Sequence, residues 1–480
     1  MLMDKYKSLA KNTMVFAVGT LASKFLVFLL VPFYTRVLSE EAYGTVDIVV
    51  QTCNLLIPLA TLGITHAIIR FGLDRAEDKK SVFTLGVITV LIGFSVLLCF
   101  WPLLARIGFL SEYVGYMYLF ILCSSLQMVC AEFVRARGFV RLYAIDGVFR
   151  TVLMIVLNIV FLGGLKMGPT GYMLANILTD VVSTLLLFFV ANLYNFISIK
   201  SAKMHLLGQM ISYAVPMIPN TICTWIINIS DRYIIAFIIG TAVNGLYAVA
   251  NKVPTILIHV ANIFSGAWQI SAVTEEEERE KFFSRVFGMY CAIAFLAGSV
   301  LIATAQISTK LLASPDYFEA WVFVPFLVMG TLFACLASFL SSIYMVYKKS
   351  QYTFYTTLIG AVVNIVLNIA FIPVYGANGA AFATFISYFV MFISRFIHTR
   401  KWIKIRISQV YFWLNFMLVL AQCVLILLNL PNYLLYQGAL FVVVLSLNIK
   451  NLIGAMDSFG VLDKFVPANL RKRLKNFTGE

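Results

Sequence analysis

Ile155-Val156-Leu157-Asn158-Ile159 recurs as Ile365-Val366-Leu367-Asn368-Ile369, an offset of 210 residues in a chain of 480. Phe161 and Phe371 extend the match at the same offset. Each copy runs into a Gly-rich stretch, Gly168-Pro169-Thr170-Gly171 in the first and Tyr375-Gly376-Ala377-Asn378-Gly379 in the second. A looser echo, at nearly the same offset, links Tyr43-Gly44 to Asn244-Gly245-Leu246-Tyr247. Missing an internal repeat misreads the whole fold. Five matched apolar residues weigh little in so apolar a chain. The shared loop chemistry and the shared spacing weigh more. What the repeated unit is depends on what lies between the copies.

The hydrophobic share is 61% and the charged share 12%. Soluble domains carry about 45–50% apolar and about 25% charged residues. An ordinary soluble enzyme is thereby excluded. A bilayer-spanning helix needs about 20 mostly apolar residues, and fourteen segments qualify. They cover 12–36, 43–71, 81–104, 113–134, 143–164, 171–194, 209–240, 243–273, 282–305, 319–347, 351–373, 378–397, 409–430 and 435–454. The runs are continuous rather than alternating, so a β-barrel does not fit. The first run is too long for the apolar core of a signal peptide and reads as a first transmembrane helix. The eight cysteines fall in apolar runs without a CxxC pair, which points to small core residues rather than disulfides or zinc ligands.

The repeat now has a unit. Its copies fall on the fifth and eleventh segments, six apart. Six is even, so both halves run the same way through the membrane, as parallel repeats about an axis along its normal. The fold class is therefore an all-α polytopic membrane protein of about fourteen helices. Residues 1–199 form one six-helix bundle and residues 200–399 the second. Residues 400–480 hold two further helices and a basic cytoplasmic tail. Parallel two-half membrane proteins of this kind are typically transporters, with the substrate between the halves.

The charge map agrees. Net charge is +14, from 36 Lys and Arg against 22 Asp and Glu. With the N-terminus inside, the inner loops and termini hold 28 of the 36 cations. The outer segments hold four: Arg36, Arg106, Lys166 and Lys310. That bias sets both termini in the cytoplasm and accounts for the basic excess without nucleic acid. The last four cations, Lys24, Arg150, Arg232 and Lys252, lie within spans.

A charge inside a membrane is costly, so each such residue is a functional candidate. Lys24 is twelve residues into the first segment, near the midplane. Lys252 is about nine residues into the eighth, just before Pro254. Arg150 lies on the inner third of the fifth segment, with Asp146 four residues earlier on the same face. Arg232 follows Asp231 on the seventh; adjacent helical residues face apart, so each needs its own partner. These four cations are the expected substrate-binding set. Asp180, mid-way along the sixth segment, and Asp231 are candidates for ion coupling or for pairing with the cations. Arg36 and Asp47, near the outer interface, are candidates for a gate. Prolines 32, 58, 216, 219, 254 and 325 also fall within spans, five of them on segments 1, 2, 7 and 8, at matched places in the two halves. Bendable helices at matched places point to moving elements. The tail Arg471-Lys472-Arg473-x-Lys475 suits anionic headgroups. No Walker loop, GxSxG or HExxH motif occurs, and no loop is long enough for a catalytic domain, so neither an enzyme nor a bound cofactor is expected.

Taken together, the motifs resemble a known family. The opening Asn12-Thr13, Gly19-Thr20-x-x-Ser23-Lys24 leads into Pro32-x-Tyr34-Thr35-Arg36-x-Leu38-Ser39-x-Glu41-x-Tyr43-Gly44. Asp231-Arg232-Tyr233 followed by Gly245-Leu246-Tyr247-x-Val249-Ala250-x-Lys252 looks like the second-half counterpart. Tyr375-Gly376-Ala377-Asn378-Gly379-Ala380-Ala381-x-Ala383-Thr384 is similar to the junction of the eleventh and twelfth helices. This resembles polysaccharide (O-antigen, oligosaccharide) flippases of the Wzx/RfbX type. They belong to the MOP exporter superfamily, with MATE pumps and the lipid II flippase MurJ. The resemblance implies a V-shaped fold of two bundles around a cationic cavity. It implies export of undecaprenyl-diphosphate-linked oligosaccharide across the bacterial inner membrane. Lys24 matches a cavity cation of the lipid II flippase, whereas the apolar stretch from Phe25 to Val31 lacks that flippase's further arginines. The last two helices resemble a groove-forming pair for a lipid tail. Implied partners are the polyprenyl-diphosphate substrate, membrane lipids, protons or sodium as coupling ions, and a polysaccharide polymerase with glycosyltransferases. The alternative within the same fold is a cation-coupled MATE-like drug or metabolite antiporter.

Overall fold

The computed structural model describes residue 26 and residues 28–74, 77–274 and 278–458. Among them the chain is 87% helix and has no strand. The helices follow the apolar segments closely. They are α1 (Val31–Val37), α2 (Glu40–Ala60), α3 (Ile64–Leu73), α4 (Lys79–Leu98), α5 (Val114–Ala136), α6 (Val140–Asn158), α7 (Gly168–Val190), α8 (Met204–Ala214) and α9 (Ile218–Ile238). Then come α10 (Thr241–Ala250), α11 (Lys252–Thr274), α12 (Arg279–Ala303), α13 (Ala305–Leu312), α14 (Val324–Val346), α15 (Gln351–Thr399), α16 (Gln409–Leu427) and α17 (Tyr433–Ser458). Polar caps start two of them, α2 and α4: Ser39 Oγ accepts the Ala42 N–H at 3.2 Å and Asp78 Oδ1 accepts the Lys80 N–H at 3.0 Å, each filling one of the orphan donors of a helix start.

Eleven helical segments among the described residues are long and apolar enough to cross a membrane. One of them, α15, is 49 residues long and is two spans, because Gly376 breaks it with φ 61° and ψ −147°. α11 has 23 residues but is not among the eleven. The expected first segment lies mostly outside the described residues, as do Lys24 and the basic tail at 471–475. A total of fourteen is therefore the sequence's figure.

Proline acts where expected in three of these places. After Pro58 the second span breaks at Leu62 and Gly63, with φ 48° and 64°, which separates α2 from α3. Pro216 sits in the one-turn 3₁₀ stretch Val215–Met217 between α8 and α9. Pro254 is the third residue of α11, just past the break that follows Ala250. Pro32 and Pro325 instead occupy first turns, of α1 and α14, where no backbone bond is lost. Those two mark helix starts rather than bends.

Two compact units emerge. The first comprises residues 1–248 with Leu312–Ser314, the second Val249–Leu311 with 315–480. Their division follows contacts, and it falls later in the chain than the repeat boundary at 199. α8, α9 and most of α10 thus pack with the first unit. One core of that unit gathers Ile64, Ile68, Phe83, Phe133, Met210 and Ala214; another gathers Ile48, Cys53, Met117, Ile121, Met173 and Ile177. Ser314 is tied to it by bonds to Thr35, its N–H to Oγ1 at 3.1 Å and its hydroxyl to the carbonyl at 2.7 Å. The second unit has an aromatic core in which Phe333 meets Phe385, Phe389, Phe392 and Phe416. Trp268 stacks on Phe339 at 4.6 Å while its ring N–H donates to Ser342 at 2.9 Å. Its last two helices are zipped by polar side chains: Asn448 donates to Asn415 at 2.5 Å, and Gln437 donates to the Gln422 carbonyl at 2.9 Å.

The repeat is visible in burial as well as in letters. Residues 151–165 and 361–375 share the same order of buried, intermediate and exposed positions at fourteen of fifteen places. Asn158 and Asn368 are fully buried at matched places, alongside buried Thr151 in the first copy and Asn364 in the second. Gly168 and Gly376 both turn the chain at positive φ, 57° and 61°, a region open to glycine without steric cost. Gly171 then packs against Met167 and Phe161, and Gly379 against the Phe371 backbone; a Cβ would clash with Met167 at the first and with the Phe371 carbonyl at the second. Of the eight cysteines, seven are buried; Cys99, expected in an apolar interior, is exposed at the end of α4.

Candidate functional site

Buried charge in the first unit collects at two nodes. The first lies where α2, α9 and α10 meet. The echo between Tyr43-Gly44 and Asn244-Gly245 marks the crossing itself. A Cβ on Gly44 would collide with the Thr241 carbonyl, and one on Gly245 with the Glu40 carbonyl. The Asn244 side chain seals the contact by donating to the Gly44 carbonyl at 2.9 Å. One turn beyond Gly44, Asp47 receives Arg232 Nη1 on both oxygens, at 2.5 and 2.6 Å. Both side chains are 8% exposed. Asp231 faces elsewhere, as adjacent helical residues must: it accepts the Tyr247 hydroxyl at 2.6 Å and the Arg232 N–H at 2.8 Å. The Arg232 Nε has no hydrogen-bond partner among the described residues. Aromatic and hydroxyl groups close the surroundings. Tyr233 bonds Thr52, Trp225 donates to the Gln51 carbonyl at 3.1 Å, and Tyr34 packs edge-on to Tyr172 at 5.2 Å.

The second node spans α5, α6 and α7. Asp180 receives the Arg150 guanidinium on one oxygen and the Ser124 hydroxyl on the other. Asp146 takes a hydrogen bond from Ser183 at 2.6 Å and from Gln127 at 3.2 Å, both neutral donors. Asp146 and Asp180 are both buried, while the Arg150 side chain is 36% exposed. Arg150 thus bonds Asp180 across the bundle, and not Asp146 four residues away on its own helix.

The second unit carries a cation at its own buried node. Arg395, which the sequence counts among the inner-loop charges, is 5% exposed between α14 and the two halves of α15. Its acceptors are all neutral: Thr356 Oγ1 at 2.9 Å, Thr357 Oγ1 at 2.8 Å, and the carbonyls of Ala337 at 2.9 Å and Thr353 at 3.4 Å. Thr356 stands 210 residues after Asp146, and Ala337 stands 210 after Gln127. The repeat therefore places a cation-centred node in one half where the other has a carboxylate-centred one. Such charges are expensive in a bilayer.

Against the sequence expectations, the structure brings together Asp47 with Arg232, Asp231 with Tyr247, and Arg150 with Asp180. It does not join Arg36 to Asp47: Arg36 is exposed on α1 and Asp47 is taken by Arg232. Lys252 is the first residue of α11, half-buried, with its carbonyl accepting the Thr255 hydroxyl at 2.5 Å. Ser124, Gln127 and Ser183 are node members that charge counting passes over, and Arg395 is one that it assigns to the inner surface. Their signal was spacing. Ser124 and Gln127, Asp180 and Ser183, and Thr353, Thr356 and Thr357 each stand three or four apart, on one face of a helix.

The sequence model of the family described as polysaccharide biosynthesis protein matches residues 9–269. That stretch holds both nodes of the first unit. Among solved structures, an inward-facing multidrug resistance MATE transporter of the MOP superfamily aligns with a TM-score of 0.65 at 14% identity, over 80% of this chain and 97% of its own. The lipid II flippase MurJ, in an inward closed conformation, aligns with a TM-score of 0.60 at 15% identity, over 94% of this chain and all of its own. A MOP superfamily transporter from Pyrococcus furiosus, noted for a binding pocket of reversed polarity, aligns with a TM-score of 0.57 at 15% identity, over 82% and 95%. The fold is thus the one shared by MATE transporters and MurJ. No curated protein sequence matches the chain.

Proposed function

The chain belongs to the polysaccharide biosynthesis protein family, and from that premise we propose that it is a flippase: it exports undecaprenyl-diphosphate-linked oligosaccharide units across the bacterial inner membrane by alternating access. The observation that carries this reading is the family match over more than half of the chain. The arrangement of buried charge is consistent with it. A diphosphate is anionic and large, and Lys and Arg in a water-excluded site stabilise it by charge-assisted hydrogen bonds. Lys24, Lys252, Arg150 and Arg232 are the proposed binding cations. Arg150 and Arg232 are each paired with a carboxylate, which suits residues that must exchange a carboxylate for a phosphate during a cycle. Asp47 with Arg232 serves as the gate, in place of Asp47 with Arg36. Both termini lie in the cytoplasm, on the strength of the Lys and Arg bias. Moving one charge across 100 mV is worth about 2.3 kcal/mol, so an interior-negative potential drives an anionic headgroup outward without ATP. Asp180 and Asp231 are the candidates for proton or sodium coupling. A polymerase and glycosyltransferases of the same pathway are the expected partners, and the chain itself performs no covalent chemistry.

The second reading, a cation-coupled antiporter of drugs or metabolites, is favoured by the buried carboxylates Asp146 and Asp180. One pair of measurements separates the two. Lys24→Ala and Lys252→Ala are each expected to abolish surface glycan while the protein stays in the membrane at wild-type level. Reconstituted protein is expected to move a polyprenyl-diphosphate glycan between leaflets and to leave cationic dyes where they are. Wild-type glycan in both variants sinks the site assignment; dye antiport without glycan movement favours the second reading.

A further inference from the structure

Three of the inner-loop cations converge on one pocket of the second unit that the transport reading does not use. Arg285 on α12, Arg406 in the linker before α16, and Lys450 on α17 line a cavity of about 460 Å³, and no carboxylate lines it. Its hydrogen-bonding walls are Ser284, Ser408, Tyr411 and Asn451, and Gly288, Met289, Ile407 and Leu447 complete it with apolar surface.

The pocket is built, not a chance meeting of flexible side chains. The linker is non-helical from Ile403 to Ser408 and alternates: Ile403 and Ile405 are buried while Lys404 and Arg406 are exposed. Two bonds fix its register on α12. The Arg406 N–H donates to Ser284 Oγ at 2.8 Å, and the Lys404 N–H donates to Glu280 Oε1 at 3.3 Å. The second bond also engages Glu280 with linker backbone. On the other wall, Tyr411 bonds Asn448, which bonds Asn415, so α16 and α17 are held in register at the same level. Ser408 caps α16 by accepting the Tyr411 N–H at 3.4 Å. The positive end of that 19-residue helix therefore opens on the pocket, and helix starts favour anions.

We propose that this pocket binds the phosphate of an anionic membrane lipid, with Arg285, Arg406 and Lys450 around the phosphate and the apolar side receiving the first carbons of the tail. A basic rim alone would take any phosphate. The apolar lining, in a chain that spans the membrane, selects a lipid-borne one. The site stands on the second unit's geometry and holds whether or not the chain is a flippase.

The test uses the full-length protein in detergent and in nanodiscs, with three probes: phosphatidylglycerol, phosphatidylcholine and inorganic phosphate. Native mass spectrometry counts retained lipid, and thermal melting reads stabilisation. Wild type is expected to retain phosphatidylglycerol and to melt higher with it, with no comparable response to the other two. Each cation near a membrane surface contributes roughly fivefold to affinity. Arg406→Gln should therefore weaken retention roughly fivefold, and the triple variant R285Q/R406Q/K450Q roughly a hundredfold. The single variant carries the test if the triple one does not fold. Lys348→Gln with Lys349→Gln removes two exposed cations from another inner loop and is expected to leave retention intact. Wild-type retention in the Arg406 variant and, where it folds, the triple variant overturns the site. Equal loss in the Lys348 and Lys349 variant reduces it to general surface attraction. Equal stabilisation by inorganic phosphate makes it a free-phosphate site, and by phosphatidylcholine one blind to charge; either refutes the assignment.

Discussion

Arg232→Met is expected to destabilise the protein more than Asp47→Leu, and the double variant less than either. The reasoning starts from the geometry: one guanidinium nitrogen on both carboxylate oxygens, at 2.5 and 2.6 Å, with both side chains 8% exposed. Removing one member of a buried pair leaves a charge without compensation, at about 3–5 kcal/mol. At about 1.4 kcal/mol per factor of ten, that is two to three and a half orders of magnitude in the folded-to-unfolded ratio. The two single variants are not equivalent. Asp231 sits beside Arg232 and accepts its backbone N–H. Losing Arg232 therefore removes the cation nearest two carboxylates, whereas losing Asp47 leaves Arg232 next to Asp231. Replacing both partners by apolar groups of similar volume is often neutral or stabilising, so the double variant should recover most of the loss. The assay is reversible unfolding in mixed micelles by SDS titration, run on the wild type, both singles and the double as a cycle. Singles as stable as wild type, or a double worse than Arg232→Met, would refute the pair as a buried unit. The same double variant tests the gate. If it folds normally and surface glycan still disappears, the pair matters to transport and not only to packing.

Gly245→Ala places a methyl group against the Glu40 carbonyl at the crossing of α2 and α10. Overpacking costs about 1–3 kcal/mol, so its melting temperature should fall, while Gly147→Ala, in open space on α6, should gain the roughly 0.5–1 kcal/mol of a helical Gly-to-Ala change. Asp180→Asn weakens a charge-assisted bond to Arg150, for roughly 1–2 kcal/mol after allowing for that side chain's partial exposure. Asp146→Asn neutralises a group held by neutral donors and should melt closer to wild type, and the reverse order in a thermal-shift comparison would contradict the assignment of Arg150 to Asp180.

The contrast between what was legible in this sequence and what was not has a physical basis. Hydrophobic length gave the spans, because a bilayer enforces about 20 apolar residues per helix and little else in the chain competes with that demand. The repeat at 155 and 365 was readable because its signal is local: the same asparagine faces inward, the same neighbours face outward, and a glycine within two residues of the matched place turns the chain. Partner choice is a different kind of information. Arg150 had Asp146 within reach on its own helix and bonds Asp180 on another, since Ser183 and Gln127 already occupy Asp146. That competition among three helices leaves no trace in the spacing along one. Arg395 shows the converse error. Counting cations per loop assigns it to the inner surface, yet the hydroxyls of Thr356 and Thr357 with the Thr353 carbonyl, on one face of α15, make it a polar seat within the bundle. A basic residue at a span end is a topology signal only when no hydroxyl-rich face stands opposite. That condition can be checked in sequence, by looking for Thr and Ser three and four apart on the neighbouring span. Applied here, it moves Arg395 from the topology count to the list of buried charges. The inner bias weakens by one cation and stays decisive, and the second half gains a charged centre at the repeat position where the first half has its own.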